Sequence, residues 1–272
     1  MKIFSTCHNH CTMCDGKNTA AEMINAAIAA GFTDFGMSCH SRFAPEQNST
    51  IKSDDEYIDA MRLLQKEYAG VINFSVGIEQ DMLAPVKKRS AYDYLIGSVH
   101  SFFNERNGTY YSVDASPNEL KACIDDMFGG DAPAMVRAFY AATATNARKY
   151  QPDIIGHFDL VTKFNDGDKF FDENSAEYKN TALDALAACV QTGAIFEVNT
   201  GGVYRGAKSE FYPAPFLLEA LYEMDAKITL TADAHCVDAI DFGLSQALEQ
   251  VQKIGFKSVF LLKNGKFNEI AV

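Results

Sequence analysis

The six histidines of the chain stand at the ends of short apolar segments, a position that suits metal binding. His8 and His10 follow KIFSTC, and His40 follows FTDFGMSC. The remaining three, which also come directly after apolar stretches, are His100, His157 and His235. A single buried histidine is more often a hydrogen-bonded core residue than a ligand. Six at equivalent positions instead favour a metal-dependent site.

Carboxylates recur at the same kind of position. Glu79 and Glu197 end the apolar runs NFSVGI and AIF, and Asp233 stands two residues before His235. Because a strand alternates its faces, Asp233 and His235 point the same way, as do the two histidines of HNH at 8–10. These ligands exceed the needs of one ion. The sequence therefore predicts two or three divalent transition-metal ions, with zinc, manganese and iron all suitable and Glu79 a candidate bridge.

The segments between these residues alternate between strand and helix patterns. Apolar strand candidates end near residues 7, 38, 78, 99, 156, 197 and 232, and a further strand covers 258–262. Helical segments follow the candidate caps Thr19, Ser53, Ser116 and Ser175, two open at Pro133 and Pro215, and the last runs from about Asp238 to Lys253. Repeated βα units predict a parallel sheet with right-handed crossovers. Seven or eight units suggest a closed or nearly closed β/α barrel, whose carboxyl-terminal rim would carry the histidines.

The length of 272 residues fits one barrel domain covering 1–272. The segment 101–150 is too long for one loop and one helix. We interpret it as an insertion of a loop and two helices at the rim, where such segments carry substrate specificity. Near the end, Asn264-Gly265 separates two apolar pieces and predicts a hairpin.

Composition limits the classes of partner. The net charge is −12 and the longest basic cluster is KKR at 87–89, so a nucleic-acid partner is not expected. The chain contains no apolar run of about 18 residues and no signal-peptide segment near its start, so we expect neither a membrane span nor export. Seven cysteines without disulfide-framework spacing fit a reducing cytoplasm. A small-molecule substrate is the expected partner, and the sequence sets no oligomeric state.

The ordered set of motifs resembles the polymerase and histidinol phosphatase (PHP) superfamily over nearly the whole chain. The matching residues are HNH at 8–10, His40, Glu79, His100, GHFDL at 156–160, EVNTGG at 197–202 and DAH at 233–235. GSVH, YYSVD, FGGD, YQPDIIGHFDLVTKFN, EVNTGGVYRG and YPAP are similar to segments of its histidinol-phosphate phosphatase branch.

The resemblance implies a distorted (β/α)7 barrel holding up to three metal ions. Carried over by motif, one ion would be held by His8, His10, Glu79 and Asp233. Glu79 would bridge to a second ion held by His100 and His157. A third ion would be held by His40 and His235, with Asp15 filling a position where relatives place a histidine or an acid. Glu79, Asp233 and His157 are the residues to which this assignment gives catalytic roles. It also implies direct attack of water on phosphorus, with no covalent enzyme intermediate.

The implied activity is a metal-dependent phosphomonoesterase that hydrolyses L-histidinol phosphate to L-histidinol and phosphate in histidine biosynthesis. Arg205 follows Gly201-Gly202 and is the first candidate for phosphate binding, with Arg42 second; either could be an ordinary surface arginine. Asp114 and Asp159 are candidates for an acidic wall facing the cationic leaving group, although Asp114 could equally cap a turn.

Three alternatives remain open from the residues alone. The chain could be a PHP phosphoesterase acting on another small phosphate ester or nucleotide, or a metal-binding module without catalysis. Cys11 and Cys14 form a C-x2-C pair that could supply thiolate ligands, and Cys7 and Cys39 lie beside other candidate ligands. Because no second C-x2-C completes a four-cysteine site, we favour small residues packed beside the site.

Overall fold

The computed structural model of the protein describes residues 3–272. Its strands are β1 (Ser5–Thr6), β2 (Asp34–Met37), β3 (Asn73–Asp81), β4 (Tyr94–Ser98), β5 (Ser101–Asn104), β6 (Thr109–Ser112), β7 (Ile154–Ile155), β8 (Ile195–Asn199), β9 (Ile228–Thr231), β10 (Ser258–Lys263) and β11 (Lys266–Ala271). Its helices are α1 (Ala20–Ala29), α2 (Asp54–Glu67), α3 (Pro117–Phe128), α4 (Ala132–Tyr150), α5 (Ala176–Val190), α6 (Gly201–Tyr204), α7 (Pro215–Glu223) and α8 (Leu244–Ile254). None of the helices within this range is long and apolar enough to cross a membrane.

Seven strands form one parallel sheet in the order β1-β2-β3-β4-β7-β8-β9. Beyond β1 and β9 the two ends of the sheet meet. The His10 N–H donates to the Ala234 carbonyl at 2.8 Å, and the Ala234 N–H donates to the His8 carbonyl at 3.3 Å. The sheet therefore nearly closes into a barrel, which confirms the predicted (β/α)7 fold. Its closure joins the HNH and DAH motifs directly.

Helix starts follow the predicted capping residues. The hydroxyls of Thr19, Ser53, Ser116 and Ser175 each accept a hydrogen bond from the third residue beyond them, at the starts of α1, α2, α3 and α5. The predicted last helix differs in its start. A short 3-10 turn covers Val237–Ala239, and α8 begins only at Leu244, because Gly243 adopts a φ of 70° and interrupts the helical path.

The insertion at 101–150 contains more regular structure than the predicted loop and two helices. Its first part is an antiparallel hairpin, β5–β6, in which the buried residues Phe102 and Tyr111 pair across the strands. Each of its strands is four residues long and has two adjacent aromatic residues between polar ones, without the period-2 alternation that marks a strand in the sequence. The two helices α3 and α4 follow as predicted. Asn146 of α4 donates to the Ser98 carbonyl at 3.1 Å and so ties α4 to the end of β4.

The predicted strand at 258–262 exists, but it lies outside the barrel sheet. It is β10, which pairs only with β11 through a turn at Asn264-Gly265, where both residues have positive φ. Leu262 and Phe267 of this hairpin pack against barrel residues that include Tyr94 and Ile96. The hairpin therefore covers one end of the barrel, away from the strand ends that carry the histidines.

Tyr94 fills the barrel interior, and two glycines make room for it. The Tyr94 side chain is 1% exposed, and its hydroxyl donates to the Cys7 carbonyl. A methyl group built on Gly77 would lie 2.2 Å from the Tyr94 Cζ, and one on Gly36 would lie 2.3 Å from the Tyr94 hydroxyl oxygen. Both positions therefore require glycine because the Tyr94 side chain leaves no room for a Cβ atom, and not because the backbone there adopts a positive φ.

Gly77→Ala should lower the free energy of unfolding by about 1–3 kcal/mol, because the added methyl group overpacks a filled interior. Equilibrium unfolding in urea measures the change. In a Tyr94→Leu background the same substitution should cost less, because leucine lacks the clashing ring atoms. An equal cost in both backgrounds would show that Tyr94 is not the cause.

Candidate metal centre

The carboxyl ends of the barrel strands bring the predicted metal ligands together. Each ligand lies at the end of its strand or just beyond it, because parallel strands place their carboxyl ends on one rim. The residues at this rim are His8 and His10 after β1, Asp15 further along the same loop, His40 after β2, Glu79 in β3, His100 after β4, His157 after β7, and Asp233 and His235 after β9.

Glu79 lies at the centre of this cluster and contacts four imidazoles. Its Oε2 lies 3.1 Å from His8 Nε2 and 2.9 Å from His40 Nδ1. Its Oε1 lies 2.9 Å from His157 Nε2 and 3.2 Å from His100 Nε2. The Glu79 side chain is 1% exposed. One buried carboxylate thus reaches residues from four other strand ends, the geometry that a bridging ligand requires.

Four overlapping groups of side chains have ligand atoms within 4.8 Å of one another. They are His8, His10 and Asp233; His8, Glu79 and His157; His40, Glu79 and His100; and His10, Asp15, His40 and His235. In the last group Asp15 Oδ2 is 3.3 Å from His235 Nε2. The overlap through His8, His10, His40 and Glu79 means that neighbouring ions could share ligands.

A cation fits this cluster on independent grounds. The Nε2 atoms of His8 and His10 and the Oε2 atom of Glu79 are fully buried and have no hydrogen-bond partner. Buried polar atoms are nearly always satisfied in native proteins, and these three converge on one volume. Imidazole nitrogen and carboxylate oxygen are the donor set that zinc, manganese and iron accept.

The electrostatic balance keeps the carboxylates ionised. Burial alone would raise the pKa of Glu79, but the imidazoles of His8, His40 and His100 hold it well below its usual range. Burial likewise opposes ionisation of Asp233, while the Arg205 guanidinium and His8 hold its pKa well below the ordinary aspartate value. The site therefore presents ready anionic ligands.

A layer of hydrogen bonds behind the ligands orients them. Glu197 Oε2 lies 2.8 Å from His8 Nδ1, and it also accepts from the Thr231 hydroxyl at 2.9 Å. Glu197 Oε1 accepts from the Asn199 amide at 2.9 Å. This carboxylate faces the nitrogen of His8 that points away from the cluster. Glu197 thus fixes the imidazole orientation and leaves the ligand Nε2 free.

Sequence reasoning missed two residues that act in the same way. Asp81 accepts from the His100 backbone N–H at 2.8 Å, and its Oδ2 lies 3.3 Å from His100 Nδ1. The Ser98 hydroxyl donates to Glu79 Oε1 at 2.7 Å. Asp81 stands two residues after Glu79 in β3, so strand alternation places both on one face. The two-residue spacing from Glu79 was the sequence feature from which Asp81 could have been predicted.

The cysteines near the first motif lie behind the ligands. Cys14 Sγ is 3.5 Å from His10 Nδ1, and the Sγ atoms of Cys11 and Cys39 are 3.5 Å apart. Cys7 lies lower in the barrel interior, against Tyr94. No group of metal-ligand atoms within the described part of the chain includes a cysteine. The arrangement supports packing beside the site over thiolate ligation.

Arg205 is the predicted phosphate-binding residue that reaches the cluster. Its Nη2 donates to Asp233 Oδ2 at 2.9 Å, and its Nη1 lies 3.2 Å from His235 Nδ1. It lines a cavity of about 130 Å³ together with Lys163 and Asp114, whose ion pair measures 3.1 Å. A guanidinium, an ammonium and the metal-ligand cluster therefore surround one small space.

Two predicted substrate-binding residues lie elsewhere. Arg42 is exposed, its Nε donates to the Lys52 carbonyl at 3.0 Å, and it lines a separate surface cavity. The preceding residue, Ser41, is buried and hydrogen-bonded to the Ala84 carbonyl, so strand-like alternation turns Arg42 outward. Asp159 lines neither cavity next to the ligands.

Asp159 has a structural contact instead. Its Oδ2 accepts from the Ala214 N–H at 2.8 Å, which ties the loop after β7 to the segment before α7. The side chain is 1% exposed, and this burial raises the pKa of Asp159 to about 7. Oδ2 thus makes a loop contact, while Oδ1 has no hydrogen-bond partner within residues 3–272, and a part for Asp159 in the acidic wall stays a prediction.

Fold and ligand cluster together define a β/α-barrel protein with a metal-binding rim. The PHP domain family model matches residues 6–201. The chain belongs to the PHP family.

Curated relatives extend over almost the whole chain. A protein of Schizosaccharomyces pombe named "probable histidinol-phosphatase" is 26% identical over 283 residues, covering 95% of this chain and 89% of the relative. The "probable histidinol-phosphatase" of Deinococcus radiodurans is 28% identical and covers 93% of this chain and 94% of its own. The histidinol-phosphatase of Bacillus subtilis is 23% identical over 89% of this chain and 97% of the relative.

Solved structures share the fold. Histidinol phosphate phosphatase of Lactococcus lactis, complexed with zinc, L-histidinol and phosphate, superposes with a TM-score of 0.71 at 19% identity, covering 97% of this chain and 98% of that one. A structure from Listeria monocytogenes, solved as a candidate histidinol phosphatase, gives a TM-score of 0.76 at 19% identity, with 89% and 99% coverage. These likenesses establish the common barrel architecture.

Purified protein should contain at least two transition-metal ions per chain by elemental analysis, because the ligands exceed one coordination sphere.

Glu79→Gln should lose bound metal and lower turnover by about 100-fold or more, since a metal-activated water is worth several kcal/mol. Glu197→Gln is the matched comparison. It should weaken metal binding by about 10–100-fold without removing a ligand. Metal-free protein that remains fully active in excess chelator would contradict the site.

Proposed function

We propose that the protein is a metal-dependent phosphomonoesterase that hydrolyses L-histidinol phosphate to L-histidinol and phosphate, a step of histidine biosynthesis. The observation that carries the proposal is the convergence of eight other metal-ligand candidates around Glu79, with Arg205 beside them. The names of the curated relatives support the substrate, as does the L-histidinol and phosphate bound to the Lactococcus lactis protein.

Two or three divalent ions, with zinc the leading candidate, would occupy the rim. His8, His10, Glu79 and Asp233 would hold one, Glu79 with His100 and His157 a second, and Asp15, His40 and His235 a third. When bound, the ions would activate water and neutralise charge on the phosphoryl group. Glu79, Asp233 and His157 are the residues for which we propose direct catalytic roles.

Arg205 would bind the phosphoryl group. A guanidinium can donate to two phosphate oxygens at once, and Arg205 is already held against the ligand cluster by Asp233. Lys163 stands across the same small cavity and carries a second positive charge. Its partner Asp114 remains anionic, because Lys163 and the nearby histidines outweigh the effect of burial and lower its pKa. The phosphate end of the substrate would thus meet two cationic side chains, each of them paired with a carboxylate of the chain.

The leaving alcohol would occupy an adjoining larger cavity of about 350 Å³. This volume falls at the lower end of the range for small-molecule pockets, roughly 300–1,000 Å³. Its lining includes His40, His100, Asp114 and Lys163, which also line the phosphate cavity. The two cavities are therefore neighbouring parts of one site, suited to a small ester.

A phosphate-release assay on metal-loaded protein tests the proposed substrate. L-histidinol phosphate should be hydrolysed with a kcat/KM at least about 100-fold above sugar phosphates and nucleoside monophosphates, because mismatched leaving groups leave buried polar groups unpaired. A preference for a nucleotide would contradict the proposed substrate but support the proposed phosphoesterase activity. No release from any ester by protein with full metal content would favour a binding module.

Arg205→Ala should lower kcat/KM by a factor equivalent to about 2–4 kcal/mol, because the phosphoryl group gains equatorial charge contacts as it transfers. Lysine at this position should restore only part of the loss, since a point charge cannot replace the fork. Phosphate should inhibit the parent competitively and the variant much less. The control is Arg42→Ala, because Arg42 lines a separate cavity; this substitution should change neither kcat/KM nor inhibition by phosphate. Unchanged kinetics and phosphate inhibition in Arg205→Ala would exclude Arg205 as the anchor.

A further inference from the structure

The larger cavity contains three carboxylates besides Asp15, and they differ in what they contact. Asp114 is paired with Lys163 at 3.1 Å. Asp81 accepts from the His100 N–H at 2.8 Å and is committed to that imidazole. Glu46 accepts only a neutral hydroxyl hydrogen bond, from Ser101 at 2.9 Å. Within residues 3–272 no Lys, Arg or His side chain lies within ion-pair distance of Glu46.

No cationic side chain is paired with Glu46, although Lys163 and His100 line the same cavity. Its side chain is partly buried, and this burial raises its pKa above the ordinary glutamate value. The Ser101 hydrogen bond and His100 act against burial and lower the pKa, while the carboxylates of Asp114 and Asp81 raise it by smaller amounts; burial has the largest effect. A ligand cation placed here would gain a carboxylate that has no competing counter-ion.

An aromatic side chain lies on the same turn. Phe43 directly precedes the 3-10 turn Ala44–Glu46 and lines the same cavity. Its ring is buried and packs edge-to-face on Tyr110 of the β5–β6 hairpin, with ring centroids 5.0 Å apart. The turn thus places an aromatic ring and a carboxylate without a counter-ion in the lining of one cavity. That pairing suits a leaving group that combines a flat ring with an ammonium.

We propose that Glu46 determines specificity by binding the ammonium of the leaving alcohol, with Phe43 forming the wall against which its ring lies. The inference rests on the proposed phosphatase function, and it names the residues that bind the end of the substrate remote from the metals. Glu46 stands in the loop between β2 and α2, so substrate choice would be set by a different element from the one that binds phosphate. Asp114, by contrast, would serve mainly to hold Lys163.

The test compares two esters that differ only in the ammonium: L-histidinol phosphate and 3-(imidazol-4-yl)propyl phosphate. Glu46→Gln keeps the acceptor for Ser101 and removes only the charge. It should lower kcat/KM for L-histidinol phosphate by about 10–100-fold, the range for a lost charged hydrogen bond. The change for the desamino ester should be below about threefold. Glu46→Asp should retain part of the preference.

The control is Glu105→Gln, which removes an exposed carboxylate at the β5–β6 turn, outside the cavity lining. It should leave both esters unchanged and so corrects for loss of overall negative charge. Equal losses on both esters in Glu46→Gln would show that Glu46 acts through Ser101 or the loop rather than on the ammonium. Unchanged kinetics on both would show that it makes no contact. Either result overturns the inference.

The assays distinguish failure of the proposed function from failure of the role proposed for Glu46. If the parent protein does not hydrolyse L-histidinol phosphate, the substrate assignment fails. The ammonium preference is then measured with 2-aminoethyl phosphate against ethyl phosphate. A parent that favours the amino ester, with the preference removed in Glu46→Gln, would keep the role of Glu46. A parent with no such preference would overturn it.

Discussion

The carboxylate of Glu79, buried among imidazoles from several strand ends, is the constraint on which the rest of the site depends. An isolated buried carboxylate is costly, and here four histidines within 3.2 Å share its charge. Its Oε2 and the Nε2 atoms of His8 and His10 are buried close together without a hydrogen bond, so they are available as ligands for a cation. One residue therefore connects the candidate ligands of four other strand ends.

The barrel supplies this geometry by bringing its two ends together. The backbone bonds between the His8–His10 segment and Ala234 join the first and last strands, and with them two ligand motifs about 225 residues apart in the chain. At the opposite end, Tyr94 and the β10–β11 hairpin fill the interior. Packing therefore occupies one end of the barrel, while the polar rim remains open to a ligand.

The site separates its tasks among different loops. Glu197, Asp81 and Ser98, which lie in the strands themselves, contact the candidate ligands from behind. Arg205 and Lys163, in segments beyond the strands, place cationic groups beside the cluster, and the turn after β2 contributes Phe43 and Glu46 to the cavity lining. The segments that carry Lys163, Arg205 and Glu46 follow β7, β8 and β2, so we expect substitutions in one of them to leave the strand-end ligand candidates in place. This division is a general property of barrels whose sites lie at the carboxyl ends of the strands.

The sequence by itself determined the βα repeat, the capping residues and the position of the histidines at strand ends, because strand alternation and strand-end position are local properties that each motif carries. It also pointed to Arg205 through the adjacent glycine pair. Only the tertiary structure decided that Glu79 contacts four imidazoles, that Arg42 faces outward and that Asp159 holds a loop. The hairpin at 101–112, the contact of Asp81 with His100 and the place of Glu46 in the lining of the larger cavity were likewise seen only there. These outcomes depend on loop paths and on contacts between distant strands, which no local periodicity encodes.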